Sequence, residues 1–384
     1  MKKLTILSAL LLTTIHVFSI NVSIHIYSDK TITSAIVAPL TGAYIVEGDG
    51  KCIDSSNASS VYEVSIVNDT MVQVKNLDRI LGTFARLRFR GCAAQNQFYL
   101  KLTDEKNKRL YYDDLSVSAD KLNLKLLSII DLEHYVGGVV QSEAGLRKPP
   151  EYYKVQAIIC RTYALNNLAR HINDGFELCD QVHCQVYQGV TTNADILNAV
   201  QATKGMVIVD ESNELINAAF HSNCGGQTLN SEDVWNKALP YLRSRPDTFC
   251  LHQPAAIWHK DIKESEWKAY LSRKEKGLKR DTSKRAMYDT IPDNKRIFFY
   301  DKGYLIPLKE VRTDWNLHST YFSITNNDGV LTLSGHGFGH RVGLCQEGAI
   351  HMTQSGYNYQ QILHYYYYNV QIIDYTLLPS SGFN

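Results

Sequence analysis

Glu143 is the residue best suited to acid–base chemistry in this sequence, because it is a lone carboxylate between an apolar run and a proline break. The apolar run, residues 129–140, is rich in residues that favour a buried strand. Pro149 and Pro150 stop any helix before them and suit the first turn of a new one. We therefore expect Glu143 to lie in a loop against the next helix. Burial there would raise the pKa of its carboxyl group, which could then act as a general acid near neutral pH.

Cysteine and histidine lie close together after that helix, at Cys179, His183 and Cys184. Zinc prefers tetrahedral sulfur and nitrogen ligands, and His171 at the end of the predicted helix is a fourth candidate ligand. The same two cysteines could instead form a disulfide in an oxidising compartment. The residues alone leave zinc, a disulfide and free thiols open as alternatives.

Glycine recurs at alternate positions in residues 335–343. In an extended chain this spacing clears side chains from one face and places His336, Phe338 and His340 on the other. The pattern predicts a surface where a bulky ligand can lie against backbone. The alternative is a tight turn packed under the following helix.

A second glycine pair, Gly225-Gly226, follows a predicted buried strand that contains His221. Such a pair can expose backbone N–H groups to a ligand, because no side chain shields them. A simple turn is the more common use of two adjacent glycines.

The helix predicted over residues 151–171 is apolar around most of its circumference, which is typical of a buried helix. Lys154 and Arg161 are seven residues apart and therefore share one face. A buried arginine needs a carboxylate or an anionic ligand. Glu143 is the nearest unexplained acid in sequence. A structural ion pair is the alternative to a ligand-binding role for Arg161.

The remaining patterns predict an α+β fold. Short alternating runs from residue 22 to about residue 127 indicate an antiparallel β region, and the later segments indicate a mixed α/β core. That core should contain a helix over residues 192–203 and a strand over residues 205–210. Alternating charges are frequent in residues 251–310, which we interpret as a solvated insertion.

Composition is that of an ordinary globular protein of 384 residues, 44% of them hydrophobic. Forty basic and 39 acidic residues give a net charge of +1, so nothing predicts a nucleic-acid partner. A basic start, an apolar run to residue 18, and Val17 and Ser19 before the expected cleavage site predict a signal peptide over residues 1–19. An uncleaved membrane anchor is the alternative. We expect an exported protein with no stable membrane span after cleavage.

Eight cysteines on an exported chain permit disulfides. Connectivity cannot be deduced from sequence. The first pairs to test are Cys52 with Cys92 and Cys224 with Cys250.

Three blocks of this chain resemble the SpoIID (stage II sporulation protein D) and amidase-enhancer family. The first joins V-Q-S-E-A at residues 140–144 to K-V-Q-A-I-I-C-R-T-Y-A-L at residues 154–165. The others are H-S-x-x-G-G-x-T at residues 221–228 and the glycine-rich block at residues 333–349. Cys224 and Cys345 stand where the family pattern usually has serine, and Arg341 stands where it usually has glycine.

This resemblance implies a peptidoglycan lytic transglycosylase, which cleaves the β-1,4 bond between N-acetylmuramic acid and N-acetylglucosamine in strands stripped of stem peptides. Glu143 would be its single general acid and base, and the product would carry a 1,6-anhydro ring. The substrate-binding residues would be Lys154, Arg161, His221, Gly225, Gly226, His336, His340 and Gln346. The resemblance also implies a structural zinc ion, for which His183 and Cys184 match the family's run and His171 and Cys179 complete the set.

Two other functions remain open at this point. One is a non-catalytic module that binds glycan strands and stimulates a cell-wall amidase. The other is a zinc hydrolase that uses His336 and His340. All three functions place the protein in the periplasm, outside the cell or in the cell wall.

The expected domain organisation follows from these blocks. A β-rich region over residues 20–127 precedes a catalytic domain over residues 128–373, and a tail occupies residues 374–384. The resemblance implies that the charged insertion forms a lobe over a cleft in the catalytic domain.

Overall fold

Two antiparallel β-sheets fill the first third of the chain in a computed structural model, which describes residues 20–235, 237–274, 298–301 and 304–378. Side chains alternate between buried and exposed along these strands, so that each sheet presents one apolar face to the core. The strands are β1 (Asn21–Ile26), β2 (Ser34–Thr41), β3 (Tyr44–Gly48), β4 (Lys51–Ser56), β5 (Tyr62–Asn68), β6 (Met71–Lys75), β7 (Ile80–Phe84), β8 (Arg86–Gly91), β9 (Gln97–Leu102), β10 (Arg109–Tyr112), β11 (Asp114–Asp120) and β12 (Asn123–Asp131).

The α/β part begins directly after β12, and its helices and strands are interspersed along the chain. They are α1 (Leu132–Ala144), α2 (Pro150–Asn166), β13 (Leu178–Cys179), α3 (Ala194–Ala202), β14 (Met206–Val209), β15 (Phe220–His221), α4 (Glu232–Trp235), β16 (Ile257–Lys263), α5 (Glu264–Lys274), β17 (Phe298–Asp301), β18 (Tyr304–Pro307), α6 (Leu308–Asp314), β19 (Phe322–Asn327), β20 (Val330–His336), β21 (Leu344–Cys345), α7 (Gln346–Gln354), α8 (Tyr359–Tyr366) and β22 (Gln371–Asp374). The predicted α+β class is confirmed, as are the helix and strand expected over residues 192–210.

The strand expected over residues 129–140 is wrong beyond Asp131, because α1 begins at Leu132. Asp131 caps this helix, and its carboxylate accepts a hydrogen bond of 2.8 Å from the backbone N–H of Glu133. Gly138 lets α1 pack closely, since a Cβ there would lie 2.3 Å from the Gly189 carbonyl oxygen. The β-branched residues of this run are therefore helical core residues, and Glu143 lies in the last turn of a helix.

The two parts of the chain share one sheet and one core. The larger sheet has the strand order β13-β1-β12-β11-β8-β3-β4, and the smaller has β10-β9-β2-β5-β6-β7. Strand β13 pairs in parallel with β1, and β12 runs through the boundary that the sequence suggested at residues 127–128. One continuous hydrophobic cluster joins these sheets to α1, α2, α7 and α8.

The charged insertion contributes to a second hydrophobic cluster. Strands β16, β20 and β19 form a three-stranded antiparallel sheet. Trp258 and Phe322 of this sheet belong to one hydrophobic cluster with Trp267 of α5 and with residues of α6. Residues 275–297 and 302–303 of the insertion lie outside the described residues, as do the expected signal peptide and residues 379–384 of the tail. Across the described ranges, no helix has both the length and the apolar character needed to cross a bilayer.

Candidate active site

Glu143 is held at the end of α1 by one hydrogen bond to its side chain. The backbone N–H of Val186 donates to its Oε1 atom over 2.8 Å. Within the described part of the chain, no hydrogen bond reaches Oε2. The side chain is half-buried, and only Oε1 accepts the hydrogen bond from Val186.

Burial raises the pKa of the Glu143 carboxyl group, and the hydrogen bond from Val186 opposes that rise. Among the described residues, no charged side chain contributes to this shift. A carboxyl group in such surroundings stays protonated to higher pH than an exposed glutamate, which is the property a general acid needs.

The glycine-rich block reaches Glu143 through Gln346, the first residue of α7. Its Nε2 atom donates to the backbone carbonyl of Glu143 over 3.4 Å. The first and third sequence blocks therefore meet at Glu143.

Arg161 does not take part in this meeting and instead forms an ion pair, the alternative that its sequence position left open. Its side chain is fully buried, and its Nε donates over 2.8 Å to Oε1 of Glu133 in the first turn of α1. A second guanidinium nitrogen donates to the other carboxylate oxygen of Glu133, and a third to the Met206 carbonyl. Arg161 is thus a structural bidentate ion pair. Lys154 is partly exposed and pairs with Glu151 over 2.6 Å.

The two glycine segments pack against each other, so the backbone at Gly225 and at Gly337 faces a neighbouring segment of the chain. A Cβ on Gly337 would lie 2.6 Å from the Asn223 carbonyl oxygen, and one on Gly225 would lie 2.9 Å from the His336 Cβ. The N–H of Gly225 is engaged by the Asn223 side chain over 2.7 Å. Gly226 likewise adopts a turn conformation with φ of 102°. These glycines serve close packing, and the segment is extended only as far as His336.

The three histidines expected to line the site take different positions. His221 is buried, its Nδ1 hydrogen-bonds the Val342 carbonyl, and its Nε2 has no partner within the described residues. The His340 ring lies 5.5 Å from that of His221, and burial lowers its pKa to about 4. His336 packs instead on Tyr321, with ring centroids 4.9 Å apart. In the described part of the chain, neither His336 nor His340 belongs to a group of potential metal ligands.

The four residues predicted as zinc ligands do converge. One donor atom from each of His171, Cys179, His183 and Cys184 lies within 4.8 Å of the other three. Nε2 of His171 is 3.5 Å from the Cys184 sulfur, and its Nδ1 is 3.0 Å from a carboxylate oxygen of Asp174. Two sulfurs and two imidazole nitrogens fit a tetrahedral zinc ion, and a carboxylate behind a ligating histidine is a common supporting contact.

This cluster is tied to the β region and to Glu143. Cys179 lies in β13, and the fully buried Asp180 accepts hydrogen bonds from the backbone of Tyr27 and Ser28 at 2.6 and 3.1 Å. Val186, which binds Glu143, follows Cys184 by two residues. Sequence reasoning missed Val186 and Glu133, since a backbone donor has no side-chain signal and the Glu133 pairing depends on helix packing.

The surroundings of Glu143 predict a pH-dependent stability effect. A carboxyl group whose pKa rises on folding favours the folded state while it is neutral, and that contribution is lost as pH rises through the folded pKa. Glu143→Gln cannot ionise. Its free energy of unfolding, measured with urea, should match that of the parent near pH 4 and exceed it at pH 8. A difference of the opposite sign at pH 8 would contradict the burial of this carboxyl group.

Known proteins are similar to the part of the chain that contains Glu143 and the four clustered ligands. The family model described as Stage II sporulation protein matches residues 120–209, which include Glu143 and the four clustered ligands. Stage II sporulation protein D of Bacillus amyloliquefaciens is 30% identical over 259 residues, which are 63% of this chain and 74% of that protein. The protein of the same name from Bacillus subtilis (strain 168) is 30% identical over 261 residues, with the same coverage of 63% and 74%. The amidase enhancer of Bacillus subtilis (strain 168) is 26% identical over 291 residues, 62% of this chain and 40% of that protein.

Proposed function

The chain belongs to the stage II sporulation protein D family, and from this premise we propose that it is an exported peptidoglycan lytic transglycosylase. It would cleave the β-1,4 bond between N-acetylmuramic acid and N-acetylglucosamine in denuded glycan strands. The observation that carries the proposal is the half-buried Glu143, whose pKa is raised by burial and whose Oε2 has no hydrogen bond within the described residues.

The proposed reaction uses Glu143 twice. Its protonated Oε2 first donates a proton to the glycosidic oxygen, and the bond from that oxygen to the muramyl C1 breaks. The carboxylate then accepts the proton of the muramyl 6-hydroxyl, whose oxygen bonds to C1. The products are a free N-acetylglucosamine 4-hydroxyl and a 1,6-anhydro ring, and the carboxyl group ends protonated as it began.

A single carboxyl group is sufficient for this route because water takes no part in it. Glycoside hydrolases generally pair two carboxyl groups across the scissile bond, one of which activates water or attacks C1. Within the described part of the chain, no charged side chain shifts the pKa of Glu143, which agrees with one acid acting alone.

The direct test is product analysis. Purified mature protein is incubated with denuded glycan strands in oxygen-18 water, and the new ends are examined by mass spectrometry. We expect anhydro ends that are one water lighter than hydrolytic ends and carry no label. Labelled reducing ends would instead show hydrolysis and overturn the transglycosylase proposal.

We further propose that His171, Cys179, His183 and Cys184 hold a structural zinc ion, which supplies a fixed geometry to the loop between α2 and α3. That loop carries Val186, so the metal ligands would help to hold the hydrogen bond to Glu143. These four residues take no part in the bond-breaking steps.

Replacing one of the four ligands should therefore lower both the zinc content and the melting temperature of the protein. We expect His171→Ala to lose one zinc ion per chain and to melt at a lower temperature than the parent in zinc-containing buffer. Zinc at about 100 times its Kd stabilises a folded chain by about 2.7 kcal/mol, and the variant lacks this contribution. Metal content by mass spectrometry and melting curves test this expectation. The control is Cys52→Ser, which replaces an exposed cysteine. An unchanged zinc content in His171→Ala would refute the site.

A second candidate function is supported by the relative named amidase enhancer. In that case the chain binds glycan strands and stimulates a cell-wall amidase without cleaving glycan itself. Binding in a strand pull-down with no new ends by mass spectrometry, together with faster release of stem peptides by an added amidase, would favour this function.

A further inference from the structure

A second group of potential metal ligands lies outside the predicted zinc site. Cys224, Asp247, Cys250 and Cys345 are all buried, and one donor atom from each lies within 4.8 Å of the other three. The sulfur of Cys224 is 3.4 Å from that of Cys250 and 3.2 Å from Oδ2 of Asp247. We propose that these four residues bind a second zinc ion.

The spacing of the donors fits one tetrahedral ion. Zinc–sulfur bonds of about 2.3 Å and zinc–oxygen bonds of about 2.0 Å place neighbouring ligand atoms roughly 3.5–3.8 Å apart. The distances from the Cys224 sulfur approach these values without rearrangement of the backbone. Three sulfurs and one carboxylate oxygen also match the ligand preference of zinc, whereas calcium and magnesium take oxygen ligands.

The groups around the cluster are placed as supporting contacts for a bound cation. The backbone N–H groups of Cys224 and Gly348 each point at the Cys345 sulfur over 3.4 Å. Cys345 is also the N-cap of α7, where the helix dipole favours a thiolate. The Tyr366 hydroxyl donates to Oδ2 of Asp247 over 2.9 Å, which orients the carboxylate.

Charge balance also favours a divalent cation. Three thiolates and a carboxylate can ligate together in a buried site only where a cation compensates them, because buried like charges are strongly unfavourable; without a cation the thiols stay protonated. The buried Arg341 donates to the Cys224 carbonyl over 2.8 Å and places a guanidinium group beside the cluster. Cys224, Arg341 and Cys345 are three positions at which this chain departs from the family motifs, and the structure brings them together.

A disulfide between Cys224 and Cys250 is the competing arrangement. It needs a sulfur–sulfur bond of about 2.05 Å and uses two of the four residues. It gives no role to the Cys345 sulfur or to the Asp247 carboxylate, both of which converge on the same point. The shared position of all four donors favours the metal.

The proposed ion would join three segments beneath the candidate active site. These are the turn at Cys224, the segment from Asp247 to Cys250, and the start of α7 at Cys345. Gln346 follows Cys345 directly and hydrogen-bonds the Glu143 backbone. Glu143 is thus contacted by Val186, two residues after the ligand Cys184, and by Gln346, one residue after the proposed ligand Cys345.

Metal content separates the two clusters. The full mature chain is purified under reducing, oxygen-free conditions, loaded with zinc and freed of excess, and its zinc is counted by inductively coupled plasma mass spectrometry. We expect two zinc ions per chain in the parent and in Cys52→Ser, and one in Cys345→Ser or His171→Ala. The double variant should bind none. Two ions retained in Cys345→Ser would overturn the proposal.

A second variant and a search for disulfide-linked peptides keep the test decisive if Cys345→Ser misfolds. Asp247→Asn keeps all three sulfurs, and we expect its second zinc ion to bind at least about 10-fold more weakly in competition with a chelator. Equal affinity would count against the site. The air-exposed parent is digested without reductant as well. A peptide that links Cys224 to Cys250, with one zinc ion per chain, would establish the disulfide instead.

Discussion

Glu143→Gln is expected to slow the formation of anhydro-ended glycan by about 10²–10⁴-fold, the usual contribution of a positioned general acid and base. The amide keeps the size of the side chain, and its oxygen can still accept the hydrogen bond from Val186. It cannot carry the proton that the leaving oxygen needs. The rate should be measured under single-turnover conditions, so that product release does not mask the chemical step.

Two controls make this result specific. Glu63→Gln makes the same substitution at a surface carboxylate of β5 that pairs with Lys75, and it should cleave at the parental rate. Glycan binding by Glu143→Gln should remain close to that of the parent, since only the proton is lost. If Glu143→Gln cleaves strands as fast as the parent, Glu143 is not the acid. If the parent itself makes no new ends but speeds an amidase, the enhancer function stands.

The class of fold and the core helix were predictable because their signals are local. Prolines at the start of α2 and apolar residues around its circumference leave few alternatives to a buried helix. The convergence of Cys179, His183 and Cys184 could also be predicted from the sequence, since these residues lie within a stretch of six.

The secondary structure of α1 shows that helical periodicity can be more informative than a β-rich composition. The large buried side chains of α1 fall at Leu132, Tyr135, Val136, Val139 and Val140, which is the spacing of one helical face. The abundance of β-branched residues favoured a strand, but the Asp131 cap and two glycines that allow close packing support the helix. The periodic signal was present and was the more informative one.

The glycine segments and the second cluster depended on tertiary contacts. Alternate glycines look the same in sequence whether they face a ligand or another strand of backbone, and here the neighbour is the segment around Asn223. Asp247 joins Cys345 across 98 residues of chain, so no short-range spacing marks them as partners.

Arg161→Met is expected to lower the free energy of unfolding by about 3–5 kcal/mol, the usual cost of removing one member of a buried ion pair. The fully buried guanidinium group satisfies both oxygens of Glu133 and the Met206 carbonyl. Methionine has a similar length and fills the space, but it leaves the largely buried carboxylate without its cation. Urea unfolding of the parent and the variant at pH 7 measures the difference.

The double variant Glu133→Leu/Arg161→Met separates a structural pair from a substrate contact. Replacing both charges with apolar groups removes the uncompensated carboxylate, so the double variant should be more stable than Arg161→Met alone. Arg161→Lys should rescue little, because an ammonium group cannot bind both oxygens of Glu133 in the planar arrangement of the guanidinium. If Arg161→Met instead unfolds within 1 kcal/mol of the parent but cleaves glycan poorly, Arg161 acts on the substrate. The ion pair with Glu133 would then be incidental, and the expectation drawn from the sequence motif would hold after all.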